Sequence, residues 1–134
     1  MKLTRVEYEF FDFEEPSAAA RELARQVRLQ FADAQTLFLS WTWEGEHDSG
    51  SQPYSIGRRD SSFFRDEPAA VVDASMSALW SGLVGHEVEV THCPSTSPMF
   101  VHQVIEVRAR EQRTFVCSLG LDRVTLSCAP PMPR

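Results

Sequence analysis

From residue 85 onward, hydrophobic and polar positions alternate almost without a break. Val88 and Val90 share one side of the chain, against Glu87, Glu89 and Thr91. Ile105, Val107 and Ala109 stand against Glu106, Arg108 and Arg110. Phe115, Cys117 and Leu119 stand against Thr114, Val116 and Ser118, and Val124, Leu126 and Cys128 against Arg123, Thr125 and Ser127. Successive side chains of a strand point to opposite faces, so the pattern predicts four strands, each with one buried and one wet side. Antiparallel pairing is expected, because such sheets can leave one face in water. Glu111-Gln112 and Gly120-Leu121-Asp122 are short enough only for hairpins, so residues 86–128 read as a C-terminal β-meander.

The N-terminal half mixes two periods. Thr4, Val6, Tyr8 and Phe10 alternate with Arg5, Glu7 and Glu9, which predicts a strand. In residues 16–33, Ala20, Leu23, Val27 and Phe31 recur at three- and four-residue steps, and Pro16 suits a first helical turn. This spacing predicts the main helix of the chain. Its arginines Arg21, Arg25 and Arg28 would form a solvated basic stripe. Thr36–Trp43 reads as a buried strand, and Tyr54–Arg58 and Ser61–Phe64 as weaker ones. A short second helix is expected at about 74–84, capped by Asp73 or Ser75, with Leu79, Trp80, Leu83 and Val84 inward and glycines near its end. The expected fold class is therefore α+β: a twisted antiparallel sheet of about six or seven strands packed against the helix at 16–33, by the rule that layers cover each other's apolar faces. Residues 1–134 read as one domain with a frayed proline-rich tail at 129–134.

Composition narrows the function classes. The net charge of −6 and pI of about 5.2 disfavour nucleic acid, whose binding rests on clustered Lys and Arg, and favour a basic protein partner. No apolar run approaches a membrane span, and the first residues lack the apolar core of a secretion signal, so no membrane association and a cytoplasmic address are expected. Three cysteines without C-x-x-C spacing fit reduced thiols, with Cys117 and Cys128 expected in the core. Lysine occurs once, at Lys2, among 13 basic residues, a bias expected of a GC-rich bacterial genome.

No nucleophile motif, phosphate loop or dinucleotide fingerprint is present, and no cofactor is expected. His92 and His102 flank the loop after Cys93 and can face each other across a hairpin, yet two histidines are too few for a metal shell, so no metal is expected. The loop with Glu44, Glu46 and Asp48 is carboxylate-dense without calcium-loop spacing, and suits docking of a basic protein. Arg58, Arg59 and Asp60 beside Ser61 and Ser62, with Trp41 nearby, form the alternative candidate: a small-molecule, anion-binding or enzymatic pocket. The leading expectation is a non-enzymatic protein-binding domain of adaptor or immunity type, with a homo-oligomer compatible with it.

Overall fold

The computed structural model describes residues 1–10, 23–43, 54–59, 70–93, 104–118 and 124–128. Ten strands lie in these segments: β1 (Leu3–Phe10), β2 (Leu23–Ala24), β3 (Gln26–Phe31), β4 (Thr36–Trp43), β5 (Tyr54–Arg59), β6 (Ala70–Asp73), β7 (Glu89–Cys93), β8 (Val104–Ala109), β9 (Gln112–Ser118) and β10 (Val124–Ser127). They form two five-stranded antiparallel sheets, ordered β5-β4-β3-β1-β6 and β2-β10-β9-β8-β7. Among the described residues no helix is present, so the α+β expectation is corrected to two sheets around a shared core. No helix there is long and apolar enough to cross a membrane.

The main expected helix is the largest correction. Of residues 16–33, those from 23 to 31 are strand, broken only at Arg25, and 16–22 lie outside the described residues. The apolar residues Val27, Leu29 and Phe31 are buried on one face, while Gln26, Arg28 and Gln30 lie on the other. Val27 and Phe31 would share a face in a helix as well as in a strand. Leu29, which is fully buried, would not, and its burial requires the two-residue period. The predicted basic stripe is lost with the helix. Arg25 is 5% exposed, Arg28 lies in an ion network, and Arg21 is outside the described residues.

The second expected helix, at about 74–84, is a run of turns. Trp80 N–H donates to Ser77 O (3.1 Å), Ser81 N–H to Ser77 O (2.8 Å), Leu83 N–H to Trp80 O (2.8 Å) and Val84 N–H to Trp80 O (2.9 Å). These bonds do not propagate into a helix, in keeping with Gly82 and the serines at 75, 77 and 81, which are weak helix formers. Gly85, at φ +89°, ends the run in a conformation that disfavours a side chain. The segment still buries Trp80 and Leu83 completely, so it plugs the core without being a helix.

Both sheets contribute to one core. Val6, Tyr8, Phe10, Val27, Leu29 and Leu39 from the first meet Ile105, Val107, Val116, Val124 and Leu126 from the second. Two joints hold the sheets together. At Arg25 the chain passes from β2 in one sheet to β3 in the other, and Arg25 N–H donates to Glu9 O (3.2 Å). Such strands that switch sheets make the corners of sandwiches. At the other side Leu3 N–H donates to His86 O (3.0 Å), Gly85 N–H to Leu3 O (2.6 Å) and Val88 N–H to Met1 O (2.8 Å), stitching the start of β1 to the segment before β7.

The phase of β9 is also corrected. Thr114 and Val116, expected in water, are fully buried in the shared core, and Thr114 Oγ1 donates to Leu79 O. Phe115 and Cys117 are buried too, on the opposite face with Val104. A strand covered on both sides loses the one-face pattern that its sequence was read by. Cys128, expected in the core, is exposed.

The β3–β4 hairpin carries a testable strain. Ala34 has φ +69°, is exposed, and donates its N–H to Phe31 O (3.1 Å). An L-residue in this region costs about 1–2 kcal/mol, which glycine avoids at an entropic cost of about 0.5–1 kcal/mol. Ala34→Gly is therefore expected to raise the urea midpoint by up to about 1 kcal/mol in stability terms, with an unchanged m-value. A lowered midpoint would show that the turn is not strained.

Candidate functional site

The densest polar chemistry among the described residues lies on the face of the first sheet turned away from the shared core. Register builds it. In one row Asp73 pairs with Glu7, Glu7 with Arg28, and Arg28 with Phe38; in the next, Val71 pairs with Glu9, Glu9 with Gln26, and Gln26 with Ser40. Directly opposed residues share a face, so the acids of β1 meet the amides and the arginine of β3.

The contacts follow from that placement. Arg28 Nη2 pairs with Glu9 Oε1, and Arg28 Nη1 with Glu7 Oε1 at 3.4 Å. Gln26 Nε2 donates to Glu9 Oε2 and Gln30 Nε2 to Glu7 Oε1 (2.9 Å). Arg5 Nη2 reaches Glu7 Oε2 at 3.2 Å, and Arg5 Nη1 reaches Asp73 Oδ2 at 3.5 Å. The Arg28 guanidinium also lies over the Phe38 ring, 5.4 Å from its centroid. Glu9 and Gln26 are fully buried. A buried carboxylate needs such partners, because isolated it would cost several kcal/mol. Both carboxylates are thus engaged by cations and amides, a set that holds β1 to β3 and not one that offers a free base.

At the edge of this set, Asp73 Oδ1 accepts the Ser75 N–H (2.9 Å), while the Ser75 hydroxyl accepts the Val6 N–H (2.9 Å). The Ser75 side-chain and backbone hydrogen bonds hold the Asp73 carboxyl below its ordinary value of 3.8, against an opposing effect of burial, and Arg5 adds the smallest contribution in the same downward direction. A depressed carboxylate stabilises the fold above its unfolded pKa, and that contribution is lost as pH falls through the folded pKa. Asp73→Asn is expected to be less stable than wild type at neutral pH. The gap should close as the solution is acidified below the ordinary carboxylate range, and urea titrations at the two pH values check this. A constant gap would locate the effect outside Asp73 ionisation.

The sequence-derived candidates are placed only in part. Glu44, Glu46, Asp48, Asp60 and His102 lie outside the described residues. The backbones of Trp41, Arg58 and Arg59 are in adjacent strands, with Trp41 paired to Ile56, Leu39 to Arg58 and Phe38 to Arg59. This brings positions 41 and 58 within two register steps of each other. His92, exposed on β7, pairs in register with Ile105. Among the described residues no group of three His, Cys, Asp or Glu side chains is arranged to hold a metal.

Elsewhere, a shallow depression of about 380 Å³ lies beside the β8–β9 turn, lined by Gly82, His86, Ala109, Arg110, Glu111 and Gln112. It is open to solvent. The turn itself is Arg110-Glu111, one position earlier than the expected Glu111-Gln112, with Arg110 at φ +57°. Burial pushes the Cys117 thiol above its usual range, which disfavours the nucleophilic thiolate there.

The network of Glu7, Glu9, Gln26 and Arg28 was not singled out from the sequence. Its signal is the pairing of E-x-E in β1 with Q-x-R-x-Q in β3, which means nothing until the two segments are known to be neighbouring strands. Comparison of the chain with models of known families, with curated proteins and with solved structures finds no match.

Proposed function

We propose that this chain is a non-enzymatic domain that binds a basic protein, in the manner of a small adaptor or immunity protein of the bacterial cytoplasm. The observation that carries this reading is the charge of −6 on 134 residues. In the described part, Glu7 and Glu9 are already matched by Arg5 and Arg28, so these two do not supply a docking charge. Glu87 and Glu89 are more accessible, with side chains 79% and 63% exposed, though each is ion-paired, Glu87 with the N-terminal amine at 2.8 Å and Glu89 with Arg108 at 3.0 Å. Glu106, 14% exposed and near Arg108, is not a comparable docking group. The segment with Glu44, Glu46 and Asp48 adds three carboxylates within five residues and is the preferred docking segment.

The test is capture of partners from a lysate of the native host by the wild type and by the variant Glu44→Ser, Glu46→Asn, Asp48→Asn, followed by association kinetics with the basic protein identified. The wild type is expected to associate faster at low salt, and the variant to lose most of that salt dependence at an unchanged melting temperature. Equal salt dependence in both would remove the 44–48 segment and turn attention to Glu87 and Glu89. Failure to retain any basic protein would remove the reading.

A second reading is kept by one observation, the proximity of positions 41 and 58 on β4 and β5. A pocket built there around Arg58 would bind a small anion. Titration with inorganic phosphate, read by tryptophan fluorescence, supports that reading if it saturates in the wild type and not in Arg58→Gln.

A further inference from the structure

The depression of about 380 Å³ beside the β8–β9 turn brings a strained residue together with polar groups that the fold does not use. Arg110 is the first of the two turn residues and has φ +57°. The favoured two-residue hairpin turns need a positive φ there, which glycine, asparagine or aspartate supply with little strain. Arginine does not. Strain by itself marks no site, since Ala34 carries it too. What sets Arg110 apart is that it lines the depression together with His86, Glu111 and Gln112. Among the described residues, these four side chains enter no hydrogen bond or ion pair, whereas Arg5, Arg28 and Arg108 are each paired with a carboxylate. Gly82 leaves room for one of the four: a Cβ at this position would collide with the Gln112 carboxamide.

We propose that this depression binds a small monocarboxylate, held by Arg110. A guanidinium meets a carboxylate through two parallel hydrogen bonds. The His86 imidazole and the Gln112 carboxamide each carry an N–H that can donate to the same anion. Gly82 and Ala109 give the lining an apolar part that suits a short hydrocarbon tail. Glu111 limits the charge. Its carboxylate belongs to the same lining and opposes a dianion such as phosphate more strongly than a monoanion. The net charge of −6 works against diffuse anion binding, so an anion retained here must be held by these fixed groups. The volume stands at the lower end of the range for ligand sites, about 300–1,000 Å³, and the depression is open to solvent. A ligand of few atoms with an affinity in the millimolar range is therefore expected.

Amide NMR spectra of the purified chain, titrated with sodium butyrate, sodium phosphate or sodium chloride at matched ionic strength, test the assignment. Butyrate is expected to shift the signals of Gly82, His86, Arg110, Glu111 and Gln112 and to saturate. Chloride is expected to give no saturating shift, and phosphate to bind more weakly than butyrate. Arg110→Gly is expected to lose the saturating response while its melting temperature stays at or above that of the wild type, because glycine relieves the turn. Arg110→Gln keeps the strained backbone and is expected to lose the response as well, since the charge is gone. Arg58→Gln is expected to leave the response unchanged, which separates this site from the pocket considered on β4 and β5. No saturating response to butyrate, an undiminished one in Arg110→Gly or Arg110→Gln, or phosphate binding as tight as butyrate overturns the proposal without touching the docking reading.

Discussion

Arg28→Ala is expected to lower the stability of the domain by about 3–5 kcal/mol, the range for stranding one member of a buried ion pair. The cost arises at Glu9. Its carboxylate is fully buried, and with Arg28 gone its partner among the described contacts is the neutral Gln26. Glu7 loses less, since it keeps Arg5 and Gln30 and is nearer to water. The cation–π contact with Phe38 is lost as well. Adding Glu9→Gln to Arg28→Ala should recover part of the loss, because the second change removes the stranded charge. Chemical denaturation of the two single variants and the double variant measures this coupling. A loss below about 1 kcal/mol for Arg28→Ala, as for an exposed pair, would mean that water reaches Glu9.

Trp80→Ala is expected to cost a similar amount, about 3–5 kcal/mol, through the cavity it leaves. Trp80 is fully buried, and its Nε1–H donates to the Tyr8 hydroxyl at 2.7 Å, tying the turn segment to the middle of β1. Tyr8→Phe separates packing from hydrogen bonding. It keeps the ring and strands the indole N–H, at an expected cost of about 1–3 kcal/mol. Once Trp80 is replaced, Tyr8→Phe should cost less than it does alone, since no donor remains to strand. Additive losses in thermal or urea denaturation would show that the two side chains do not meet.

Strands proved more legible than layers. The segments now seen as β1, β4 and β5 alternate, or run apolar, within short stretches, and their type could be read locally. Residues 23–31 could not, because Glu22, Leu23, Ala24, Arg25 and Gln26 are all good helix formers and Leu23, Val27 and Phe31 fit a helical stripe. The distinguishing residue was Leu29, apolar where a helix would face water. Propensity is a weak prior, and pairing with β1 and β4 overrode it. Residues 74–84 misled for a related reason: Leu79, Trp80, Leu83 and Val84 signal burial, but burial alone does not distinguish a helix from a turn folded over a core. In β9, Phe115 marked one buried face correctly and concealed the second. Of the candidate sites, the carboxylates of β1 were visible only as half of a strand pattern. Their chemistry depends on Arg28, which the helix reading had placed in solvent.

The two-sheet architecture rests on the pairing of β1 with β3, where Tyr8 stands opposite Val27 and Glu7 opposite Arg28. Backbone NMR assignment of residues 3–10 and 23–31 tests it directly. Strand-type carbon shifts at Gln26–Phe31, with cross-strand proton contacts between Tyr8 and Val27 and between Val6 and Leu29, are the predicted result. Helical shifts through residues 23–31, with sequential amide contacts and none to β1, would contradict it.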